Sequence, residues 1–506
     1  MTRRAVPALL LVAALAAGPI ASCARNPVTG KNELSLVSES QEIQMGQQAA
    51  QEVAQTIGFV ENPALQEYVA GIGKRMAAKS ERPNLPWEFH VVNDAAVNAF
   101  ALPGGFIGAH SGLIIAAQTE SELAGVMSHE IGHVSQRHIA RMLGQQKQDV
   151  LLPLAAMILA ALAAKASSDA AMGVLMGGQG LAIQRQLNFS RDAEREADRV
   201  GFQIMEKGGY DTTGIVAFFR RLQSASKLYG ELPAGLSNLS SHPLTQERIT
   251  DMQARIREIP KKQRIDSLDF HLVRARTRVL QDLSEQGRRE AKAAFETQLK
   301  ESHRQQQASA QYGLAYLALR QGDLAGAQGW LDKARATVKP REGVFTSAPN
   351  VGDGATILAG LSLEIKMAQG QPPEVLQQAV QEAEQARQRF PLSRAIAHQY
   401  AEVLVAAGKL DEAARYLRDQ VQQYREETKL HDLLAKAYAR QGKIALQHMS
   451  LAESYVLAGA LPAAVEQLNL ARKAKDVSFY DQAVIDARER ELQARQKAEK
   501  EEEKER

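Results

Sequence analysis

Residues 120–139 read ESELAGVMSHEIGHVSQRHI and residues 190–201 read SRDAEREADRVG. In the first, His129, Glu130 and His133 form H-E-x-x-H. On a helix, positions four apart share a face about one turn apart, so both imidazoles can bind one metal ion. Glu130 projects beside them, placed to act as base on a water held there. Glu120 and Glu122 fall early in the helical pattern, and Leu123, Met127, Ile131 and Val134 form an apolar stripe expected to face a core away from the histidines. Two histidines do not complete a catalytic zinc site, which has three protein ligands and an open position. One scheme adds a histidine six residues later with a glycine between, but those positions are Ile139 and Gln136, so it fails.

The second stretch offers carboxylates instead. Glu194 and Asp198 lie four apart on one face, and Asp192 and Glu196 share a neighbouring one. A ligand, together with a carboxylate that orients a histidine ligand, needs such a pair. Spacing alone leaves open which glutamate binds the metal.

Outward from this core, the strand-like runs WEFHVVN and GGFIGAHSGLII mix with helical patterns over 24–265. Asn98, Ala99, Phe100 and Ala101 lead to the turn signal Pro103-Gly104-Gly105 and are expected to form an edge strand that pairs with an extended substrate. Val150–Ala164 carries no charge and is followed by a Gly/Met/Ala-rich stretch to Ile183. As a helix it reaches about 22 Å, short of a ~30 Å hydrocarbon core. Pro153 weakens its early turns. It suits a buried helical hairpin, a membrane-surface pair or a lid.

Residues 266–480 show helical periodicity with a repeat. Gly322, Gly408, Gly442 and Gly459 align, with Ala315, Ala401, Ala435 and Ala452 seven positions before. Ala327, Ala413 and Ala464 follow three of the glycines by five residues, and Leu331, Leu417 and Leu468 follow them by nine. Small residues let antiparallel helices approach, large ones fill between units, and each glycine ends a helix. Gly408 and Gly442 are 34 residues apart, the tetratricopeptide period; Gly442 and Gly459 are only 17 apart, so one helix must serve two units. Residues 340–391 are degenerate, and 481–506 are expected to form a charged tail, either a frayed helix or disordered.

The amino terminus, MTRRAVPALLLVAALAAGPIASC, has the layout of a secretory signal over residues 1–22: Arg3 and Arg4, then an apolar run to about Ala17. Ile20-Ala21-Ser22-Cys23 resembles the bacterial lipobox, which implies lipidation of Cys23 and attachment to a membrane surface. Ordinary cleavage that leaves a free thiol is the alternative. Ala24 rather than an acidic residue follows, a pattern that implies the outer membrane. A single cysteine excludes an internal disulfide framework, and a net charge of +3 gives no electrostatic footprint for nucleic acid.

HEIGH followed by E-x-x-A-D (Glu194, Ala197, Asp198), with NAFALPGG at 98–105 and SHP at 241–243, resembles the HtpX/CAAX-protease family of zinc metallopeptidases. The opening NPVTGKNELSLVSESQEIQMG, the lipobox and the repeats resemble its periplasmic branch, concerned with outer-membrane β-barrel assembly. The resemblance implies a mainly α chain: an α+β zinc-peptidase domain with a small sheet, then a tetratricopeptide-repeat domain. It implies one zinc ion held by His129, His133 and Glu194, with Glu130 as general base and Asp198 behind a ligand. It places His242 near the metal, either assisting the oxyanion or occupying the open position and silencing the enzyme; Arg248 could add charge stabilisation. His138 is expected to cap or pack near its helix end, and His90 and His110 stay unassigned. The implied activity is periplasmic proteolysis of misfolded or misassembled outer-membrane proteins, with the repeats binding substrate or the β-barrel assembly machinery. The competing expectation is a lipid-anchored chaperone or scaffold with little proteolysis. A third is a cytoplasmic-membrane peptidase with 150–183 in lipid.

Overall fold

The computed structural model describes residues 23–25, 32–34, 37–149, 190–229, 242, 245–258, 264–301, 303–339 and 353–505. The signal segment 1–22, the apolar stretch 150–164 with the Gly/Met/Ala-rich run to 183, and Ser241 and Pro243 lie outside the described residues; Cys23 is described in its backbone only. Two compact units emerge. One comprises residues up to Val53 with Ala70–Val92 and Ala96–Arg264; the other comprises Ala54–Val69, Asn93–Ala95 and Ile265 onward.

In the first unit, β1 (Cys23–Arg25) pairs antiparallel with β2 (Asn32–Leu34). A separate three-stranded sheet has β5 (Phe106–His110) at its centre, parallel to β3 (Glu88–Val92) and antiparallel to β4 (Ala99–Ala101). β5 is buried throughout, as a central strand covered on both faces should be. The run GGFIGAHSGLII is only half strand: Ser111–Ala116 folds as a short buried helix. A short continuous apolar run fits either state, and burial on all sides permits the helix. Helix α1 (Glu39–Thr56) lies against the turn after β4, where a Cβ on Gly46 would fall 1.9 Å from the Pro103 carbonyl oxygen and one on Gly104 2.5 Å from Ile43 Cα. Only glycines allow that approach, and Gly104 also takes a left-handed φ of 79°.

The H-E-x-x-H helix, α2 (Glu120–Ser135), is buried all round, not along one stripe as its pattern suggested. Its two acids in the first turn are neutralised in place. Glu122 accepts from Arg221 at 2.7 Å and from the Gln118 amide, and Glu120 pairs with Arg264 at 3.2 Å. Thr119 caps the first turn through the Glu122 amide.

The second unit is an array of helices. Gly322, Gly408, Gly442 and Gly459 each sit at φ between 74° and 78°. The residue after each glycine donates its N–H back to a carbonyl five positions earlier (Asp323 to Ala318, Lys409 to Leu404, Lys443 to Tyr438, Ala460 to Tyr455). That is the left-handed helix stop, repeated four times. The aligned alanines and leucines are all buried. The 17-residue slip is explained by Ile444–Leu457, which packs on both Thr428–Gln441 and Leu461–Arg472. Glu67 belongs to this unit: its Oε2 accepts from the Ser393 hydroxyl and the Ala395 amide. The charged tail belongs to a long helix, Phe479–Glu505. Ile485 and Leu492, seven apart, are fully buried against Ala452, Leu461 and Leu468, so this helix closes the array. Two apolar residues in a charged run were too faint a stripe to read.

Candidate metal centre

Two helices cross backbone to backbone. A Cβ on Gly201 would lie 2.8 Å from Ser128 O and 2.9 Å from His129 Cα; one on Gly132 would lie 2.9 Å from Ala197 O. Through this crossing the helical residues 190–207 bring Glu194 and Asp198 against His129 and His133 of α2. Arg248, on the helix Gln246–Glu258, and His242 complete the ring of polar groups.

His129 Nε2 and His133 Nε2 stand 3.1 Å apart, and Glu194 carboxylate oxygens lie 3.5 Å and 3.4 Å from them. Ligands about 2.0–2.1 Å from a tetrahedral zinc are separated by about 3.3 Å, so these three donors have the spacing of one tetrahedral face. Two imidazoles and a carboxylate are also a zinc-type donor set. One atom of each of His129, His133, Glu194 and His242 falls within 4.8 Å of the others, so the four could hold a metal. Behind the ligand candidates, His129 Nδ1 is 2.9 Å from Asp198 Oδ1, and Arg248 grips Asp198 through Nε and Nη2 at 2.6 and 2.7 Å. Arg248 Nη1 also reaches Glu194 Oε2 at 2.8 Å, so this arginine acts on the carboxylates as a positioning residue. Glu130 is buried, and its Oε2 has no hydrogen-bond partner among the described residues. An orphaned carboxylate oxygen beside such a donor face fits a group that receives a proton from an incoming molecule.

The electrostatics are divided sharply. Burial opposes charge on His129, but Asp198 and Glu194 override it and hold its pKa at about 10. Burial, and then the charge of His129, push His133 down to about 3. Burial would raise Glu194, yet bonds from the surrounding histidines hold it far below the usual carboxylate range. Glu130 goes the other way, raised mainly by burial, which suits a base that must also release its proton. His242 is raised against burial by Glu130 and Glu194.

The edge strand lies beside this site. The Asn98 carbonyl accepts from the His110 amide and the Leu102 amide donates to the Phe106 carbonyl. By the alternation of antiparallel pairing, the backbone groups of Phe100 face β5, and those of Ala99 and Ala101 face the free edge. A cleft lined by Ala101, Leu102, His133 and His138 joins the strand end to the histidines. The sequence reading undervalued His138 and Glu196. His138 is buried, with Nδ1 2.9 Å from His133 Nδ1 and Nε2 3.3 Å from Glu196 Oε2. Its pKa is pushed down by burial. Gly132 and Gly201 were also passed over, although both stood inside the quoted motifs.

Residues 63–256 match peptidase family M48. That stretch is a peptidase M48 domain. The chain is 29% identical over 483 residues to the β-barrel assembly-enhancing protease of Escherichia coli strain K12, covering 94% of each chain. It is 27% identical over 491 residues to the β-barrel assembly-enhancing protease of Yersinia pestis, covering 95% of this chain and 96% of that one. The mitochondrial metalloendopeptidase OMA1 of Schizosaccharomyces pombe is 29% identical over 230 residues, 45% of this chain and 64% of its own. The last match takes in less than half of the M48 chain, whereas the first two extend into the helical array. Among the described residues of the M48 protein, no helix is long and apolar enough to cross a membrane.

Proposed function

We propose that this chain is a zinc endopeptidase of the bacterial envelope that removes misfolded or misassembled outer-membrane proteins. The observation that carries the reading is the donor face of His129, His133 and Glu194 with the unpartnered Glu130 carboxylate beside it. These three residues would hold one zinc ion, which would supply Lewis-acid polarisation of the scissile carbonyl and of the attacking water. Glu130 Oε2 takes the proton of the attacking water and delivers it to the leaving nitrogen. Asp198, gripped by Arg248, keeps the His129 ring turned toward Glu194. An extended substrate adds to the sheet along Ala99 and Ala101, which reads backbone and not sequence, as suits unfolded segments.

The lipobox at Cys23 supports attachment at the outer membrane, facing the periplasm. The E. coli and Yersinia relatives are named for β-barrel assembly, which supports stalled barrel proteins as substrates and the assembly machinery as the partner of the helical array. To test the substrate class, the mature chain is incubated with one outer-membrane β-barrel protein, either unfolded or refolded in micelles. Cleavage of the unfolded form alone is expected; equal cutting of both forms, or of neither, contradicts the reading.

His242 closes the fourth position at rest. Its Nδ1 lies 2.8 Å from Glu194 Oε1, its Nε2 3.8 Å from Glu130 Oε1, and its ring centroid 5.3 and 5.0 Å from those of His129 and His133. A hydrogen bond to a charged group contributes about 1.5–3 kcal/mol. Releasing that latch corresponds to roughly 10–150-fold more open sites. His242→Ala is therefore expected to raise hydrolysis of a fluorogenic peptide by about tenfold or more. A fall in rate would assign His242 to the oxyanion instead.

A further inference from the structure

We propose that His138 is a positioning residue for His133, acting through a relay that ends on Glu196 and Arg141. The inference rests on the metal reading above and adds to it how the second histidine is oriented.

His133 turns Nε2 toward His129 and Glu194, and to offer a lone pair there its proton must sit on Nδ1. That Nδ1 is 2.9 Å from Nδ1 of His138. Two ring nitrogens bond only when one carries hydrogen and the other does not, so His133 Nδ1–H donates to His138 Nδ1. His138 must then carry its own hydrogen on Nε2, the atom 3.3 Å from Glu196 Oε2. That oxygen also accepts from Arg141 Nη1 at 2.8 Å, so the far end of the chain is an ionised acceptor held in place. His129 meets a carboxylate directly in Asp198, whereas His133 reaches one through a second imidazole.

The backbone is bent to make this contact. On an uninterrupted helix, residue 138 would lie about 140° around the axis from residue 133. Arg137 prevents that with a φ of 56°, the left-handed region that side chains rarely adopt. It is held there by its own side chain: Nε donates to Glu42 Oε1 at 2.9 Å and Nη2 to the Val37 carbonyl at 2.6 Å. The turn ends α2 and starts the helix His138–Asp149 with His138 facing back toward His133. A strained residue kept by a buried acid between two bonded histidines is a device for aiming them.

Phenylalanine at 138 fills the space but can neither accept nor donate. Glutamine offers a carbonyl oxygen to His133 and an amide hydrogen to Glu196. Zinc affinity is read by chelator competition on the full mature chain, with thermal unfolding of the zinc-free form alongside. His138→Phe is expected to weaken zinc binding about 10–100-fold, with His138→Gln recovering most of it. The relay is overturned if His138→Phe binds zinc as the parent does, or if both variants are equally impaired. A parent that takes up no zinc would instead overturn the metal reading, and the relay with it.

Discussion

Glu130→Gln is expected to lower peptide hydrolysis by about 100- to 10,000-fold while leaving zinc bound. The amide keeps the volume of the carboxylate and cannot take a proton. Glu130 is buried, its pKa is raised mainly by that burial, and its Oε2 has no hydrogen-bond partner among the described residues, so that oxygen is open to a proton from an incoming molecule. The proposed metal donors are His129, His133 and Glu194, which the substitution leaves untouched. Single-turnover hydrolysis beside zinc content separates the two effects: lost rate with retained metal is the expected pair. The same variant weighs catalysis against scaffolding. If it fully restores the phenotype of a deletion strain, proteolysis is dispensable and the helical array carries the function.

The second large effect involves a residue with no chemistry. Gly201→Ala places a Cβ 2.8 Å from the Ser128 carbonyl and 2.9 Å from two backbone atoms of His129. Real Cβ atoms do not come that close, and backbone inside a buried helix cannot swing away as a flexible side chain would. Overpacking of this kind costs about 1–3 kcal/mol. Relief comes by moving the two helices apart at the point where Glu194 meets His129 and His133. Metal sites tolerate only about 0.2 Å of error in their distances. Zinc affinity is therefore expected to fall by roughly 5–150-fold, the equivalent of that overpacking energy. Gly71→Ala is the control: a Cβ there meets nothing within 4 Å, and zinc binding should not change. Unaltered zinc affinity in Gly201→Ala would show that the helix crossing does not set the site.

Much of this was legible in the sequence where a residue type has few alternative reasons to be present. Four glycines spaced among alanines and leucines could be read as helix stops because each takes a left-handed backbone. H-E-x-x-H with a downstream acidic helix pointed to two elements that the structure brings into contact, and the resemblance chose Glu194 among carboxylates that spacing could not separate. What failed to show depended on contacts. The α2 helix is buried on every side because neighbours approach its glycines, and a hydrophobic stripe cannot reveal that. His138 looked like a helix-end residue because its role depends on the left-handed turn at Arg137, where the letter gives no warning. The last helix hid its docking face in Ile485 and Leu492, two residues among charges.

The central claim is that two imidazoles and one carboxylate grip a single divalent ion. Elemental analysis of the purified parent, His129→Ala and Glu194→Gln tests it directly. About one zinc per chain in the parent, sharply reduced in both variants, is the expected result. A parent without metal, whose peptide hydrolysis is indifferent to chelators, would contradict it.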